Sequence, residues 1–513
     1  MTPADFDFAL PPCDNLHAPC CIHVRAARAW IETLPIDSPA QSQAALCNEL
    51  EALLYHRLPA AERIDILDLL GQRVIALQQE TLARYGGKPL PLASSEQAAF
   101  DAANAVWMIL LQGYLRAVAD TSGKSAPALQ RALSVLVEWQ SSQLLARRQP
   151  APAHWRRLHQ LLSLAEHNGQ LHVPVADAGG HKTTVLATYG SALLMQAAGP
   201  YELLPPQLGW MLRWARRWGG RLTWLTAPPT KSPALPLSVN PASDHLLHHA
   251  STAADRLYFF GTAELRRHLK SCIEQLEAGA KPILLRLGDD CTQPACGQLL
   301  RRLYPRWCKG GVERKTERHR GVGHADLVIG LESSFLLFSR THGKYQSTSS
   351  PPVSDPPYPV PYESEIAIID QSAQGLHLLR QPATNANRAG PGHLLAVRPG
   401  DTDRFFLAVA RWTAADPEGC IHLGLQLLPG TAQAAAIRYT GTHARSESPQ
   451  PGFLLPAVPA LNSPASIILS VGAFRPGRIV ETGQGGLGQT LILETLLERG
   501  EDFDRATYRQ EPG

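Results

Sequence analysis

The spacing of apolar residues changes along this chain, and that change limits the folds it can adopt. From about residue 39 to residue 220, apolar side chains recur every three or four positions, as at Ile64, Leu67 and Leu70. This period predicts amphipathic helices. After residue 320 the apolar runs are short and separated by Gly, Pro and Asp, which is typical of strands. The sequence therefore predicts a helical part followed by a β-rich part.

The length of 513 residues exceeds what one hydrophobic core normally serves, so we expect two to four domains. Residues 1–220 are predicted to form a helical bundle or irregular solenoid, and residues 221–311 a mixed α/β connector. Residues 312–439 are predicted to form an antiparallel β-barrel, followed by a small β-rich appendage over residues 440–513. The expected fold class is α+β.

Individual elements follow from the same patterns, although residues 1–38 show no clear period. Helices are predicted over residues 61–85, 95–118, 126–146, 154–166, 262–278 and 298–307, and Gly86-Gly87 is predicted to end the first of them. Strands are predicted over residues 222–225, 257–260, 326–330, 335–339, 366–369, 376–379, 394–397, 405–412 and 421–428. The stretch His342–Glu363, rich in Ser, Pro and Tyr, is predicted to be a long insertion.

Composition narrows the class of protein. The apolar fraction of 44% suits packed globular domains, and no run of about 18 apolar residues is present to span a bilayer. The first residues lack a basic segment ahead of an apolar one, so no secretory signal is expected and the cytoplasm is the predicted location. Nine cysteines at irregular spacing, without an export signal, predict reduced thiols rather than a disulfide framework.

Charge is nearly balanced overall, at +3, but it is concentrated locally. Residues 301–320 contain eight Arg or Lys against two Glu. Binding of RNA or DNA through this segment would be strongly salt-dependent. Because few aromatic residues interleave the charges, nucleic acid is an unlikely partner and ranks last among the functions considered.

A polar corner between two apolar runs is the most informative motif. Asp370, Ser372 and Gly375 stand at fixed offsets, in the order DxSxxG, between Ile366–Ile369 and Leu376–Leu379. The pattern predicts a strand, a tight bend and a second strand. Upstream, Arg314 and Arg318 form an RxxxR pair, and Arg320 is a third candidate for the same role.

An RxxxR pair followed by DxSxxG among short strands resembles the PilZ domain, the bacterial receptor module for cyclic di-GMP. The resemblance covers roughly residues 312–430 and implies a PilZ-like barrel. Ala410-Arg411-Trp412 and Leu423-Gly424-Leu425 are similar to later strands of that family, although less specifically. The interval between Arg318 and Asp370 exceeds the usual one, which the predicted insertion explains.

The chemistry of the ligand suits these residue types. Cyclic di-GMP presents two phosphates and two guanines, and a guanidinium group binds phosphate oxygens or the guanine O6 and N7 edge in bidentate fashion. The resemblance implies that Arg314 and Arg318, or Arg320, bind a ligand that stacks as an intercalated dimer. It also implies that Asp370 accepts from a guanine, that Ser372 donates its hydroxyl to phosphate or to the turn, and that Gly375 leaves room for the ligand.

Other motifs carry less weight. Gly483–Gly488 satisfies GxGxxG, but about 25 residues follow, too few for a dinucleotide-binding unit, so a glycine-rich turn is preferred. Three cysteine and histidine clusters lack the spacing of zinc or redox sites, and no metal is expected. The clusters are Cys13, His17, Cys20, Cys21 and His23; Asp244, His245, His248 and His249; and Cys291 and Cys296. Neither GxSxG nor HExxH occurs, and we predict that the chain is not an enzyme.

The preferred hypothesis is therefore a cyclic di-GMP-binding signalling effector. The ligand would bind at the junction between helical part and barrel, and the helical part would contact a protein partner. The alternative is a nucleotide-independent PilZ-like scaffold or adaptor that binds partners through its helices. Motility, adhesion and polysaccharide output are the processes typical of the family, and the sequence does not choose among them.

Overall fold

The computed structural model describes residues 8, 10–15, 17–35, 37–176, 180–227, 235–243, 245–247, 257–310, 317–341, 362–382, 387–440, 448–484 and 487–510. The chain divides into two compact units, one of residues 1–88 and 92–313 and one of residues 89–91 and 314–513. Residues 221–311 thus fall in the first unit and residues 440–513 in the second. The finer division into four domains stays a prediction.

Helices dominate the first unit. They are α1 Val24–Glu32, α2 Pro39–Tyr55, α3 Ala60–Tyr85, α4 Ser94–Asp120, α5 Ala126–Leu145, α6 Pro152–His167, α7 Val185–Ala197, α8 Pro205–Trp218, α9 Ala263–Glu277 and α10 Ala295–Cys308. The six predicted helices are confirmed to within three residues at each end. Helix α1 lies in the segment for which the sequence showed no period.

Helix α3 shows how the apolar spacing specifies this part of the fold. Its predicted stripe is buried, with Leu67 and Leu70 almost fully covered. Gly113 of α4 lets α4 approach this stripe closely, since a Cβ there would lie 3.0 Å from Leu67 Cδ1. The helix ends where predicted, at Gly86, whose N–H donates to the Leu82 carbonyl at 2.7 Å. Burial of one apolar face therefore stabilises α3 more than its capping does.

Short strands complete the first unit. They are β1 Val175–Ala176, β2 Lys182–Thr183, β3 Thr223–Leu225, β4 Leu237–Val239 and β5 Tyr258–Gly261, and the last three form a sheet in the order β3-β5-β4. A disulfide joins Cys291 to Cys296 in the first turn of α10. The prediction of reduced thiols is wrong for this pair. Their α-carbons lie 5.5 Å apart, within the span of a disulfide, which the sequence spacing alone did not reveal.

The second unit begins with a barrel. Its strands are β6 His319–Arg320, β7 His324–Ile329, β8 Glu363–Ser372, β9 Gly375–Arg380, β10 Leu394–Pro399, β11 Phe406–Ala415 and β12 Ile421–Leu427. They pair antiparallel in the order β6-β8-β7-β10-β11-β12-β9, and β9 also pairs with β8, which closes the sheet. The predicted antiparallel barrel is confirmed. Residues 342–361, most of the predicted insertion, lie outside the described residues.

The prediction of a strand over residues 335–339 is wrong, because these residues belong to helix α11, Leu331–Thr341. Leu331 and Phe338 are buried and Phe335 is half-buried, at the four- and three-residue steps of a helix. At its start, the Leu331 N–H donates to Asp502 Oδ2 at 3.0 Å. A carboxylate at a helix N-terminus is favourable both as a hydrogen-bond acceptor and through the helix dipole.

A second closed barrel follows, where only a β-rich appendage was expected. Its strands are β13 Gln433–Tyr439, β14 Gln450–Leu455, β15 Ser466–Ser470, β16 Ile479–Gln484, β17 Leu487–Arg499 and β18 Phe503–Gln510, in the order β13-β14-β15-β18-β17-β16. Gly483 pairs with Gly488 across β16 and β17. The GxGxxG sequence therefore spans a hairpin, as the preferred interpretation held, although Gly485 and Gly486 lie outside the described residues.

The two barrels and α11 share one apolar cluster. Phe453 of β14 is fully buried and forms edge-to-face contacts with Phe335 and Phe338 of α11. Phe503 of β18 and Val409 of β11 belong to the same cluster. Helix α11 thus packs against strands of both barrels, and this cluster joins the two barrels.

We expect Phe453→Ala to lower the free energy of unfolding of the second unit by about 3–5 kcal/mol, the usual cost of removing a fully buried phenyl ring. Denaturant-induced unfolding followed by circular dichroism measures this change. Phe406→Ala is the matched control, because Phe406 is 38% exposed, and its effect should be much smaller. Equal losses in the two variants would contradict the shared core.

Candidate ligand-binding site

Asp370 stands in a row of residues that crosses the first barrel. Backbone pairing places Arg320 of β6 and His377 of β9 on either side of Asp370. Gly424 of β12 is opposite His377, and Trp412 of β11 is opposite Gly424. Because directly opposed side chains share a face of the sheet, this row brings together a carboxylate, an imidazole and an indole.

A β-bulge in β8 puts Asp370 on this face. Ile368, which is buried, pairs with Leu378, whereas Asp370 pairs with His377, so the register shifts by one residue between the two pairs. The extra residue is Ile369, which is 37% exposed. Without it, Asp370 would face the same side as Ile368, because alternate residues of a strand point the same way.

A second bulge, in β11, does the same for Trp412. Ala410 pairs with Leu425 and Trp412 with Gly424, which leaves Arg411 as the extra residue. The indole lies directly against Gly424, and a Cβ at position 424 would overlap it. The Trp412 ring centroid is 4.9 Å from that of His377. Glycine at 424 therefore creates the space that the indole occupies.

Asp370 is held by two donors. Arg318 Nη1 donates to Oδ1 in an ion pair, and His377 Nδ1 lies 3.1 Å from Oδ2. Burial by itself raises the pKa of Asp370, but the hydrogen bonds from Arg318 and His377 outweigh it and lower the pKa below its ordinary value. The carboxylate is therefore ionised at neutral pH, and both of its oxygens have partners.

The contacts continue away from Arg318. His377 Nε2 lies 3.1 Å from Nδ1 of His422, and His422 Nε2 lies 3.3 Å from Oδ2 of Asp416. The other carboxylate oxygen of Asp416 accepts from the Cys420 N–H at 2.8 Å. Burial lowers the pKa of His377, and the neighbouring His422 and Arg318 act in the same direction against Asp370. Four titratable side chains therefore follow Arg318 in one hydrogen-bonded chain.

Ser372 and Gly375 form the ends of the β8–β9 hairpin. They are paired in register, and Ser372 Oγ lies 3.4 Å from the Gly375 carbonyl oxygen, so the hydroxyl contacts the turn. A Cβ at Gly375 would lie 2.7 Å from the Leu425 carbonyl oxygen. The need for glycine here thus comes from the neighbouring strand β12.

The structure brings some of the predicted site residues together. Arg318 contacts Asp370 directly, and Arg320 is exposed on the adjacent strand. Arg314 lies outside the described residues. The binding roles of all six predicted residues stay predictions. His377, His422, Asp416 and the position of Trp412 were not predicted from the sequence. For His377 and His422 the signal was a polar residue that interrupts an apolar strand, whereas Asp416 lies in the turn between β11 and β12.

The amino-terminal cysteines and histidines have separate contacts. The Cys21 N–H donates to Glu49 at 2.6 Å, His23 Nδ1 accepts from the Ala26 N–H at 3.0 Å, and His17 stacks on Tyr55. Within the described part of the chain, no group of three or more His, Cys, Asp or Glu is arranged to hold a metal ion. Of the second histidine cluster, Asp244, His248 and His249 lie outside the described residues.

Several arginines of the basic segment are engaged in ion pairs. Arg302 and Arg306 both contact Glu202, at 2.6 and 2.7 Å, and Arg301 contacts Glu277 at 2.9 Å. These carboxylates offset the local positive charge in residues 301–308. The segment is therefore a weaker attractor for a nucleic-acid backbone than its composition alone implies.

Comparison with known families gives two matches. Residues 25–229 match the family described as "Cyclic-di-GMP receptor FimW, N-terminal domain", and residues 435–511 match "FimW C-terminal beta-barrel domain". Together the matched ranges span more than half of the 513 residues. The matched family is thus a cyclic di-GMP receptor family, but it is FimW rather than PilZ. Residues 312–434, which contain all of the PilZ-like motifs, lie outside both matches.

Searches of curated proteins and of solved structures found no significant match. Among the described residues, no helix is both long and apolar enough to cross a membrane.

We expect Gly424→Ala to reduce stability by about 1–3 kcal/mol, the typical cost of overpacking, because the added methyl group must displace Trp412. Equilibrium unfolding in urea measures the change. Gly483→Ala is the matched control: it is another strand glycine, and a Cβ there would meet nothing within 4 Å. If both variants lost the same stability, the contact between Gly424 and Trp412 would not be the cause.

Asp370→Asn should lower the melting temperature at neutral pH and have less effect in acid. Since folding depresses the pKa of Asp370, its stabilising contribution is present above the ordinary value of 3.8 and is lost as pH falls through the folded-state pKa. Thermal melts of both proteins at about pH 6 and about pH 2.5 test this sign. Asp401 is exposed, so Asp401→Asn is the control and should change the melting temperature little. If the difference in melting temperature between wild type and Asp370→Asn stayed the same in acid, the prediction would be wrong.

Proposed function

Since the chain belongs to the FimW family of cyclic di-GMP receptors, we propose that it is a signalling effector that binds cyclic di-GMP at Arg318 and Asp370 of the first barrel. The choice of ligand rests on the family match, and the choice of location rests on the direct contact between Arg318 and Asp370. The likeness of this barrel to the PilZ domain is part of the same proposal.

The chemistry of the pair supports this location. Arg318 and Asp370 are each nearly one third exposed, so a ligand can reach the guanidinium group without unfolding the barrel. Partly exposed ion pairs contribute little stability, usually below about 1 kcal/mol, so exchange of Asp370 for a phosphate costs little. The guanidinium group of Arg318 would then bind phosphate, or the Hoogsteen edge of guanine, in bidentate fashion in place of Asp370.

Trp412 and His377 extend the site beyond the predicted residues. Their rings lie on the same face as Asp370, next to each other, and the indole of Trp412 lies over Gly424. Flat side chains of this kind stack on purine bases, at about 1–3 kcal/mol per base. A carboxylate, a guanidinium and two aromatic rings together match a ligand made of phosphates and guanines.

The signal would pass through the segment that carries the arginines. Arg314 begins the long segment of the second unit, residues 314–513, and the stretch Gly310–Arg320 connects that segment to the first unit along the chain. Ligand bound by Arg314 and Arg318, or by Arg320, would restrict this segment and so change which surface the helical unit offers to a protein partner in the cytoplasm.

Capture of partners from lysate with and without cyclic di-GMP tests the coupling, and an identical set of partners would argue against it.

The alternative is a scaffold that binds partners without nucleotide. Its supporting observation is that Asp370 already has partners on both oxygens, from Arg318 and His377. In that case the pair serves only to stabilise the barrel. The helical unit would contact a protein partner under either proposal.

Calorimetric titration with cyclic di-GMP separates the two proposals. We expect wild type to bind and Arg314→Ala, Arg318→Ala and Asp370→Ala to bind at least tenfold more weakly, a loss of about 1.4 kcal/mol or more. The exposed Arg404 supplies the control Arg404→Ala, which removes one positive charge from the same unit. Ligand at a hundred times its Kd should also add about 2.7 kcal/mol to wild-type stability. Equal affinities in all five proteins would exclude the site, and no binding at all would favour the scaffold.

A further inference from the structure

Two histidines connect the proposed ligand site to a second carboxylate. The chain of contacts runs from Asp370 to His377, then to His422, and ends at Asp416, with heavy-atom separations of 3.1, 3.1 and 3.3 Å. The rings of His377 and His422 are half-buried, with their centroids 5.3 Å apart. Nothing in the DxSxxG pattern includes either histidine.

When all three contacts are hydrogen bonds, the number of protons on the two rings follows from them. An ionised carboxylate only accepts hydrogen bonds, so His377 must carry a proton on Nδ1 toward Asp370, and His422 must carry one on Nε2 toward Asp416. The contact between the rings needs one further proton, located between His377 Nε2 and His422 Nδ1. Three protons on two imidazoles mean that the pair has one positive charge.

The cation is best placed on His422. In that arrangement His422 donates from both nitrogens, to Asp416 and to His377, while neutral His377 accepts on Nε2 and donates from Nδ1 to Asp370. Burial and the nearby Arg318 oppose a charge on His377, in keeping with the lowered pKa of that residue. Charges then balance, since Arg318 and the imidazolium offset Asp370 and Asp416.

We propose that His377 and His422 are positioning residues that hold Asp370 in place when Arg318 turns to the ligand, so that cyclic di-GMP binds more tightly as pH falls through the titration of the pair. This inference rests on the proposed function, because it assumes that Arg318 is a ligand contact. It adds His422 to the site, gives His377 a second role beside stacking, and couples ligand binding to the uptake of a proton.

The sign follows from the charges that face the pair. When Arg318 leaves Asp370 for a phosphate, Asp370 loses one neutralising cation, and the imidazolium becomes the remaining one. Departure of Arg318 and arrival of an anionic ligand both favour the protonated pair, so binding takes up protons. Once the pair loses its proton at higher pH, Asp370 retains Arg318 more strongly and ligand affinity falls.

Other groups around the pair do not reverse this sign. Strand β11 contributes the neutral Trp412, and Arg320 lies across β8 from His377. The charged groups that act on the pair are Arg318, which precedes β6, Asp370 of β8 and Asp416 of the turn between β11 and β12. Arg320 pairs with Asp370, and Glu418 and Cys420 lie in the same turn as Asp416. Burial, Asp416 and Glu418 raise the pKa of the Cys420 thiol, so it stays neutral while the imidazoles titrate.

The test is calorimetric titration of the full chain with cyclic di-GMP between about pH 5.5 and about pH 8.5, the range in which imidazoles titrate. In wild type we expect the association constant to fall as pH rises, with a limiting slope of about tenfold per pH unit for one proton. His422→Gln should flatten this profile, and Asp416→Asn should shift it. His324→Gln, at an exposed histidine of the same barrel, should leave it unchanged.

The outcomes separate this inference from the function on which it depends. Wild type that binds no cyclic di-GMP at any pH would overturn the proposed function. Wild type that binds with a flat profile, or a profile that His422→Gln leaves unchanged, would overturn only the inference. Should His422→Gln fail to fold, nitrogen-15 spectra of the ligand-free wild type decide, because a pair with three protons shows one imidazolium beside one ring protonated on Nδ1.

Discussion

The bulge at Ile369 is the constraint on which the site depends. It shifts the alternation of side chains in β8 by one residue. Ile368 therefore points into the barrel core, whereas Asp370 points to the other face, beside His377. The matching bulge at Arg411 turns β11 in the same way and brings Trp412 onto this face. Each irregularity gives up regular strand pairing in exchange for a polar cluster on a scaffold that is otherwise apolar inside.

The periodic parts of the fold were predictable from sequence. Helices such as α3 bury a stripe at regular spacing, and strands such as β9 lie between turn residues, so local pattern and final structure agree. The strand predicted at residues 335–339 failed because a short apolar run fits either period, and contacts with Phe453 select the helix. Closure of the carboxy-terminal strands into a barrel depends on pairings between distant segments, which no local pattern contains.

The candidate site was only partly predictable. Arg318 and Asp370 could be found because each stands in a short motif that resembles one of a known family, and pairing of β6 with β8 brings the two residues together. His377 and His422 are isolated in sequence, and they become neighbours only because β9 pairs with β12. A bulge has no reliable sequence signature, so the face on which Asp370 or Trp412 would lie required coordinates.

The apolar cluster that the two barrels share has a consequence for the history of this chain. Phe453 and Phe503 pack in one cluster with Val409 and Phe338, so each barrel covers apolar surface of the other. Recombination that carried the first barrel alone into another gene would leave an exposed apolar patch on the surface of that barrel. The two barrels are therefore expected to be inherited together.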